Sequence, residues 1–393
     1  MELRYDFDEF VNRKGTGCAK WDACEEVFGT ADVLPLWVAD MDFRSPPEVI
    51  EALVRRASEG LFGYTRVSPT VAQAVVDWMA KRHGWKIEPE WIVYTPGVIP
   101  GLYFALHACT HPGDSVVFQT PAYPPFFAAV RNTGCQLATS PLRFHNGHYQ
   151  IDADDLALRF GERTAAFVLC NPHNPVGRVF TREELLAIGD LCQRHEDVVI
   201  VSDEIHSDIV FGQNKHIPIA SLSDALAQRT ITLVSPAKTF NLPGLKASAA
   251  IIPNARLRRA FVHATDACGV HGVNLFGLVA METAYRHGED WLEDLLAYLE
   301  GNLAYLERFL RERIRGISLA RPEGTFLAWL DCRELGVDAP ALKKFMIEKA
   351  KVGLNDGAAF GPGGEGFQRL NFACHRSTLE EALRRIEAAV ARY

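Results

Sequence analysis

The sequence predicts an α/β protein: a large domain built on a mostly parallel sheet covered by helices on both faces, plus a smaller α+β domain. Three observations carry this expectation. Short apolar, β-branched runs alternate with helical stretches along most of the chain, the pattern of strands buried on both faces. A length of 393 residues suits a large domain with a second, smaller one. With 48% hydrophobic and 23% charged residues, the composition is that of a globular chain and not of a disordered or fibrous one.

The elements follow in order. Residues 1–45 have weak periodicity and read as an N-terminal arm packing with the small domain. Pro46-Pro47 opens a helix from Glu48 to Ser58, apolar at Val49, Ile50, Leu53 and Val54. A strand at Trp91 to Tyr94 precedes a helix from about Pro100, and a second strand runs from Ser115 to Gln119. Ala165 to Cys170 leads to a helix at Thr181, where Thr181-Arg182-Glu183-Glu184 is a capping box whose side chains satisfy the first orphan amides. Val198 to Val201, Ile231 to Val234 and Ala247 to Ile252 complete the large domain, taken as residues 46–288. A long Leu-rich helix near Glu289 to Arg315 leads into the small domain, residues 289–393. That domain has strands near Thr325 to Leu330 and Phe367 to Phe372, a helix near Ala339 to Lys351 and a last helix from Thr378.

The formal net charge of −8, without a long basic run, disfavours nucleic acid or an anionic membrane surface as the partner. The most basic patch, Arg256-Leu257-Arg258-Arg259, reads as a solvated helix face. Nine cysteines without Cys-x-x-Cys pairs or regular spacing form neither a disulfide framework nor a metal-ligand pattern. The first residues lack the basic and apolar segments of a secretory signal, and no run reaches the roughly 18 apolar residues of a membrane span. A reducing cytoplasm is therefore the expected compartment.

Chemistry concentrates where strands end. Val198 to Val201 runs into Ser202-Asp203-Glu204-Ile205-His206, and ligands of open α/β sheets bind beyond the carboxyl ends of strands. Asp203 is there either a loop cap or a ligand partner, and strand alternation turns Glu204 away from it. His206 reads equally as a ligand contact, as an orienter of Asp203 or as a satisfied histidine. Tyr94 to Gly101 is a strand, a glycine-bearing turn and a helix start; free amides of Gly97, Val98 and Ile99 would make an anion site. Tyr123 follows the second strand and can stack on a planar ring or pack in a turn. Asn174 lies in Asn171-Pro172-His173-Asn174-Pro175-Val176-Gly177, a run dense in turn formers. Lys238 follows Ser235 by three residues, and Lys246 lies eight further on. Arg369, in the apolar run Phe367 to Phe372, needs an anion: an amino-acid carboxylate or a structural acid.

Together these groups match what pyridoxal 5'-phosphate (PLP) requires. The cofactor needs a lysine to bond, a carboxylate against its ring nitrogen, a stacking aromatic ring and an anion cradle for its phosphate. The set resembles the fold-type I PLP enzymes, the class I/II aminotransferase superfamily, with features in register from Gly97 to Arg369. The resemblance implies that Lys238 bonds PLP, Asp203 holds the ring nitrogen and Asn174 the phenolic oxygen. Ser235, Lys246 and the Gly97 turn take the phosphate, His206 and Tyr123 complete the cofactor site, and Arg369 and Ala39 bind substrate. It also implies a homodimer in which Tyr64 reaches the neighbouring active site.

Within that superfamily, Leu36-Trp37-Val38-Ala39-Asp40-Met41-Asp42-Phe43, Phe62-Gly63-Tyr64, Ser202 to His206 and Lys238-Thr239-Phe240-Asn241 resemble the MalY/PatB group of cystathionine and cysteine-S-conjugate β-lyases. His206 and Lys246 stand where many aminotransferases carry tyrosine and arginine, and both occur in the lyase-like group. The resemblance thus implies cleavage of cystathionine or a related cysteine S-conjugate to a thiol, pyruvate and ammonia. An aminotransferase of amino acids would use the same residues, and a regulatory protein that keeps the fold and acts through protein contacts is the third reading.

Overall fold

The computed structural model describes residues 3–392. Its main sheet has seven strands, ordered from edge to edge Ile92–Thr95, Ser248–Ile251, Thr230–Val234, Val199–Asp203, Thr164–Cys170, Ser115–Thr120 and Gln136–Pro141. The last five run parallel, and Ser248–Ile251 is antiparallel to both its neighbours. The expectation of a mostly parallel sheet holds. The edge strand Gln136–Pro141 escaped the sequence reading because its residues, QLATSP, are polar and largely unburied at the surface edge.

Helices cover both faces, as the wholly buried strand Thr230–Val234 and the almost wholly buried Thr164–Cys170 require. The helix Val98–Cys109 packs on one face with Phe104 and Phe261, ring centroids 6.1 Å apart. It begins two residues before the expected Pro100, because Gly97 rather than a side-chain cap starts it. Arg182–Gln193 carries the expected capping box: Glu184 N–H donates to Thr181 Oγ1 at 3.2 Å and Thr181 N–H to Glu184 Oε2 at 2.8 Å. A helix at Pro69–His83, missing from the sequence reading, starts with Ser68 as its N-cap and ends at Gly84 with φ 64°.

The long helix is Glu289–Arg313 and buries Leu292, Leu295, Leu299, Leu303 and Leu306 completely. Beyond it lies a four-stranded antiparallel sheet ordered Ser318–Ala320, Leu327–Asp331, Phe367–Asn371 and Asn355–Asp356. The helix expected near Ala339 to Lys351 is shorter: Ala339–Lys344 gives way to a wide π turn at Phe345–Lys349. The final helix, Arg376–Val390, begins two residues before Thr378. The N-terminal segment is stitched to this part of the chain, with Leu34–Pro35 pairing parallel to Val352–Gly353. One apolar cluster joins Leu36 and Phe43 of that segment to Phe240, Leu292 and Phe372. Among the described residues, no helix is long and apolar enough to cross a membrane.

Candidate active site

The sheet brings the sequence motifs to one edge. In register, Cys170 lies beside Asp203 and Asp203 beside Leu233, so the parallel strands end level with one another. The antiparallel strand starts at that same edge, with Ser248 beside Thr95 and Ala249 beside Val234. Loops carrying Gly97, Tyr123, Asn174, His206, Lys238 and Lys246 therefore converge. They line a cavity of about 420 Å³, together with Ala39, Val98, Ile99, Asp203 and Ser235. That volume is in the range of small-molecule sites.

At one end of the cavity Gly97 has φ 149°, a conformation that a side chain strains, and it turns the chain into the helix at Val98. The amides of Val98 and Ile99 are first-turn donors with no carbonyl one turn back, and the helix dipole points its positive end at the same place. Lys246 adds an exposed ammonium without hydrogen bond or ion pair among the described residues, on backbone held at φ 51°. Ser235 lines this end too, but its hydroxyl is already engaged. It donates to the Ala247 carbonyl at 2.7 Å and caps the Ala237 amide at 3.1 Å.

Lys238 is on the turn Pro236–Thr239, and its Nζ donates to the carbonyl of Ala39. Burial draws its pKa down to about 8, so a fraction of the amine is neutral near pH 7, as a nucleophile and base must be. Asp203 is buried, with one donor, the Ile205 amide at 3.1 Å. Burial pushes its pKa up to about 7, the signature of a carboxylate lacking a close cation. Glu204 does point away. It accepts from Ser202 Oγ and bonds His216 Nε2, both at 2.8 Å. His206 makes no bond to Asp203; its Nδ1 is buried without a partner, and burial holds its pKa well below the ordinary value. Neither the orienting role nor a satisfied histidine describes it.

Arg369 comes from the small sheet and reaches the cavity wall through Asn174, donating Nη1 to Asn174 Oδ1 at 2.9 Å. Its Nη2 donates to Asn355 Oδ1 at 2.7 Å and to the Trp37 carbonyl at 3.0 Å, and its Nε has no partner. Arg369 is only 5% exposed, yet no carboxylate pairs with it among the described residues, so the structural salt bridge is absent. Burial lowers its pKa to about 10. A buried guanidinium with only neutral acceptors is a standing demand for an anion. Asn174 Nδ2 donates to no other group among the described residues.

The sequence reading missed what holds the loop at residues 37–42. Asn371 Nδ2 donates to the carbonyls of Val38 and Asp40, at 2.7 and 2.6 Å, and Asn241 bonds Met41 on both its N–H and C=O. The only sequence signal was an asparagine inside the strand pattern at 371, a residue that strands disfavour unless it has local backbone partners. Tyr64 is fully exposed and lies outside the cavity of this chain.

The residues fit PLP on their own chemistry: a half-buried lysine of lowered pKa, a buried carboxylate short of a cation, free helix-start amides beside an unpaired lysine, and Tyr123 on the wall. Fold and site thus define a PLP-dependent enzyme of fold type I, and the chain belongs to the aminotransferase class I and II family, whose model matches residues 31–386. Within that family it is 45% identical over 387 residues to cystathionine beta-lyase PatB of Bacillus subtilis (strain 168), covering 98% of this chain and 100% of PatB. It is 36% identical over 389 residues to protein MalY of Escherichia coli (strain K12), covering 96% and 97% of the two chains. Among solved structures it is similar to cystalysin from Treponema denticola, which contains PLP. The TM-score is 0.96 at 36% identity, covering 99% of this chain and 100% of that one.

Proposed function

We propose that this protein is a PLP-dependent carbon–sulfur β-lyase that cleaves cystathionine or related cysteine S-conjugates to a thiol, pyruvate and ammonia. The observation that carries the reading is the 45% identity to cystathionine beta-lyase PatB over 98% of this chain, joined to Arg369, a buried guanidinium without an acid beside Asn174. The substrate is an amino acid whose carboxylate completes Arg369 in bidentate fashion.

When bound, PLP supplies the electron sink that stabilises negative charge at the substrate Cα. The chain supplies the rest. Asp203 keeps the ring nitrogen charged, Asn174 Nδ2 and His206 offer polar contacts at the ring, Tyr123 covers it, and the Val98 and Ile99 amides with Lys246 take the phosphate. With the substrate amine held at the cofactor, Lys238 Nζ would take the Cα proton. The Cα electron pair would then form the Cα–Cβ double bond as the β-carbon–sulfur pair leaves on sulfur, Lys238 would return its proton to the thiolate, and the enamine product would hydrolyse to pyruvate and ammonia.

The working organisation places an arm at 1–45, the PLP-binding domain at 46–288 and the small domain at 289–393. We read the active form as a homodimer with Tyr64 reaching the neighbouring site. What supports this is the run Leu61, Phe62 and Tyr64, 72%, 63% and 112% exposed, outside any helix or strand. Nine free cysteines fit a reducing cytoplasm. The test is a product assay without added keto acid: L-cystathionine should yield pyruvate and a thiol in equal amounts. Turnover that requires a keto acid and releases no pyruvate would make the chain an aminotransferase instead.

A further inference from the structure

Lys20 is a lysine with no solvent exposure at all, on a one-turn helix, Ala19–Asp22, of the N-terminal segment. An ammonium has three N–H donors. Its Nζ finds three acceptors: the Asp40 carbonyl at 2.8 Å, Asp40 Oδ1 at 3.0 Å and Asp42 Oδ2 at 3.2 Å. The backbone of the same residue grips the other end of the loop, because Trp37 Nε1 donates to the Lys20 carbonyl at 3.0 Å. One residue therefore holds positions 37, 40 and 42.

Between those anchors lie the two carbonyls that meet the cations of the site. Ala39 accepts from Lys238 Nζ, and Trp37 accepts from Arg369 Nη2 at 3.0 Å. Arg13 closes the cluster from the solvent side, 2.6 Å from Asp40 and 2.7 Å from Asp42, and leaves it formally neutral. A neutral cluster this far from water would hold a loop as well with apolar groups. Its distinguishing product is placement of the 37–42 backbone to within a hydrogen bond.

We propose that Lys20 is a positioning residue that fixes the 37–42 loop as the roof of the site and, through the Trp37 carbonyl, sets how Arg369 meets the substrate carboxylate. The inference rests on reading Arg369 as the carboxylate-binding group. It assigns Lys20 no contact with substrate.

The test uses PLP-loaded Lys20→Met and the double variant Lys20→Met/Asp42→Asn, which restores charge neutrality so that the fold survives even where the single variant does not. Binding is read as KM for L-cystathionine and as the Kd of L-alanine, which has no leaving group, from the visible absorbance of bound PLP. Hydrogen exchange of residues 36–43 reports the roof directly, with no catalysis involved. Both constants should rise about tenfold or more in both variants, since small misplacements of a binding group are costly, with faster exchange confined to residues 36–43. Constants at the parental value in whichever variant folds, or unchanged exchange at 36–43, would overturn the assignment. A chain that releases no pyruvate from any thioether would break the lyase reading, and the L-alanine and exchange measurements would still decide the role of Lys20.

Discussion

Asp203 and Glu204 are neighbours in the chain and both are buried, yet they sit in two different kinds of environment. Glu204 belongs to the packed layer behind the sheet edge, where the buried carboxylates are met by donors from the chain itself. It pairs with His216 at 2.8 Å, while Asp208 takes His83 Nε2 at 3.0 Å, Trp78 Nε1 at 3.1 Å and Thr239 Oγ1 at 2.6 Å. Arg178 likewise sits between Glu184 at 2.8 Å and Glu323 at 2.9 Å. Asp203 belongs to the cavity, where among the described residues Lys246 has no anion and His206 Nδ1 no partner, and Arg369 at its wall has no acid. Buried polar groups are normally satisfied. Arg369 and His206 are buried with unsatisfied nitrogens, and with the exposed, unpaired Lys246 they mark where the chain has reserved its bonding capacity for a ligand.

The comparison predicts that substitutions in the cavity cost activity and those behind it cost stability. The largest effect is expected for Lys238→Ala, which removes the base. Pyruvate formation should fall at least about 10³-fold, checked by single-turnover assay, with thermal stability close to the parent. Asp203→Asn follows, with kcat/KM down about 10²–10³-fold as the charge opposite the ring is lost. The same change should stabilise the chain stripped of PLP. The Asp203 pKa of about 7 is above its unfolded value of about 4, so folded stability falls as pH rises between the two. Asparagine removes that loss, and its melting temperature should exceed the parent's at pH 8 and approach it at pH 5.

Arg369→Ala should raise KM about 10–100-fold, the worth of a hydrogen-bonded charge pair, and initial-rate kinetics would show it; an unchanged KM would place the carboxylate elsewhere. Smallest in activity is Glu204→Leu. It leaves His216 without its buried acid and should cost about 3–5 kcal/mol in denaturant titration, while KM stays within about threefold.

Much of this contrast was legible in the sequence because strands end in recognisable turns. Asp203 closes the apolar run Val198 to Val201 after one serine, which carried it to the sheet edge, whereas Lys238 was legible only through its company of motifs in register. The roof was not legible. The described part of the N-terminal segment, residues 3–45, lacks periodicity because it is held largely by side chains bonding backbone, as with Lys20 on Asp40 and Asn371 on Val38, and such bonds leave no repeat to read. The short strands Ser318–Ala320 and Asn355–Asp356 were lost for a related reason: they are set by pairing with their neighbours, and are too short for alternation to show. Nor could the sequence tell that Arg369 lacks an acid, since that is a statement about everything packed around it.

The mechanism requires that PLP bond covalently to Lys238 and to no other lysine. Borohydride reduction of the PLP-loaded protein, followed by peptide mapping in a mass spectrometer, tests this directly. A phosphopyridoxyl adduct on the peptide containing Lys238, in stoichiometric yield, is the predicted result. An adduct on Lys246, Lys20 or any other lysine, with Lys238 unmodified, would contradict it.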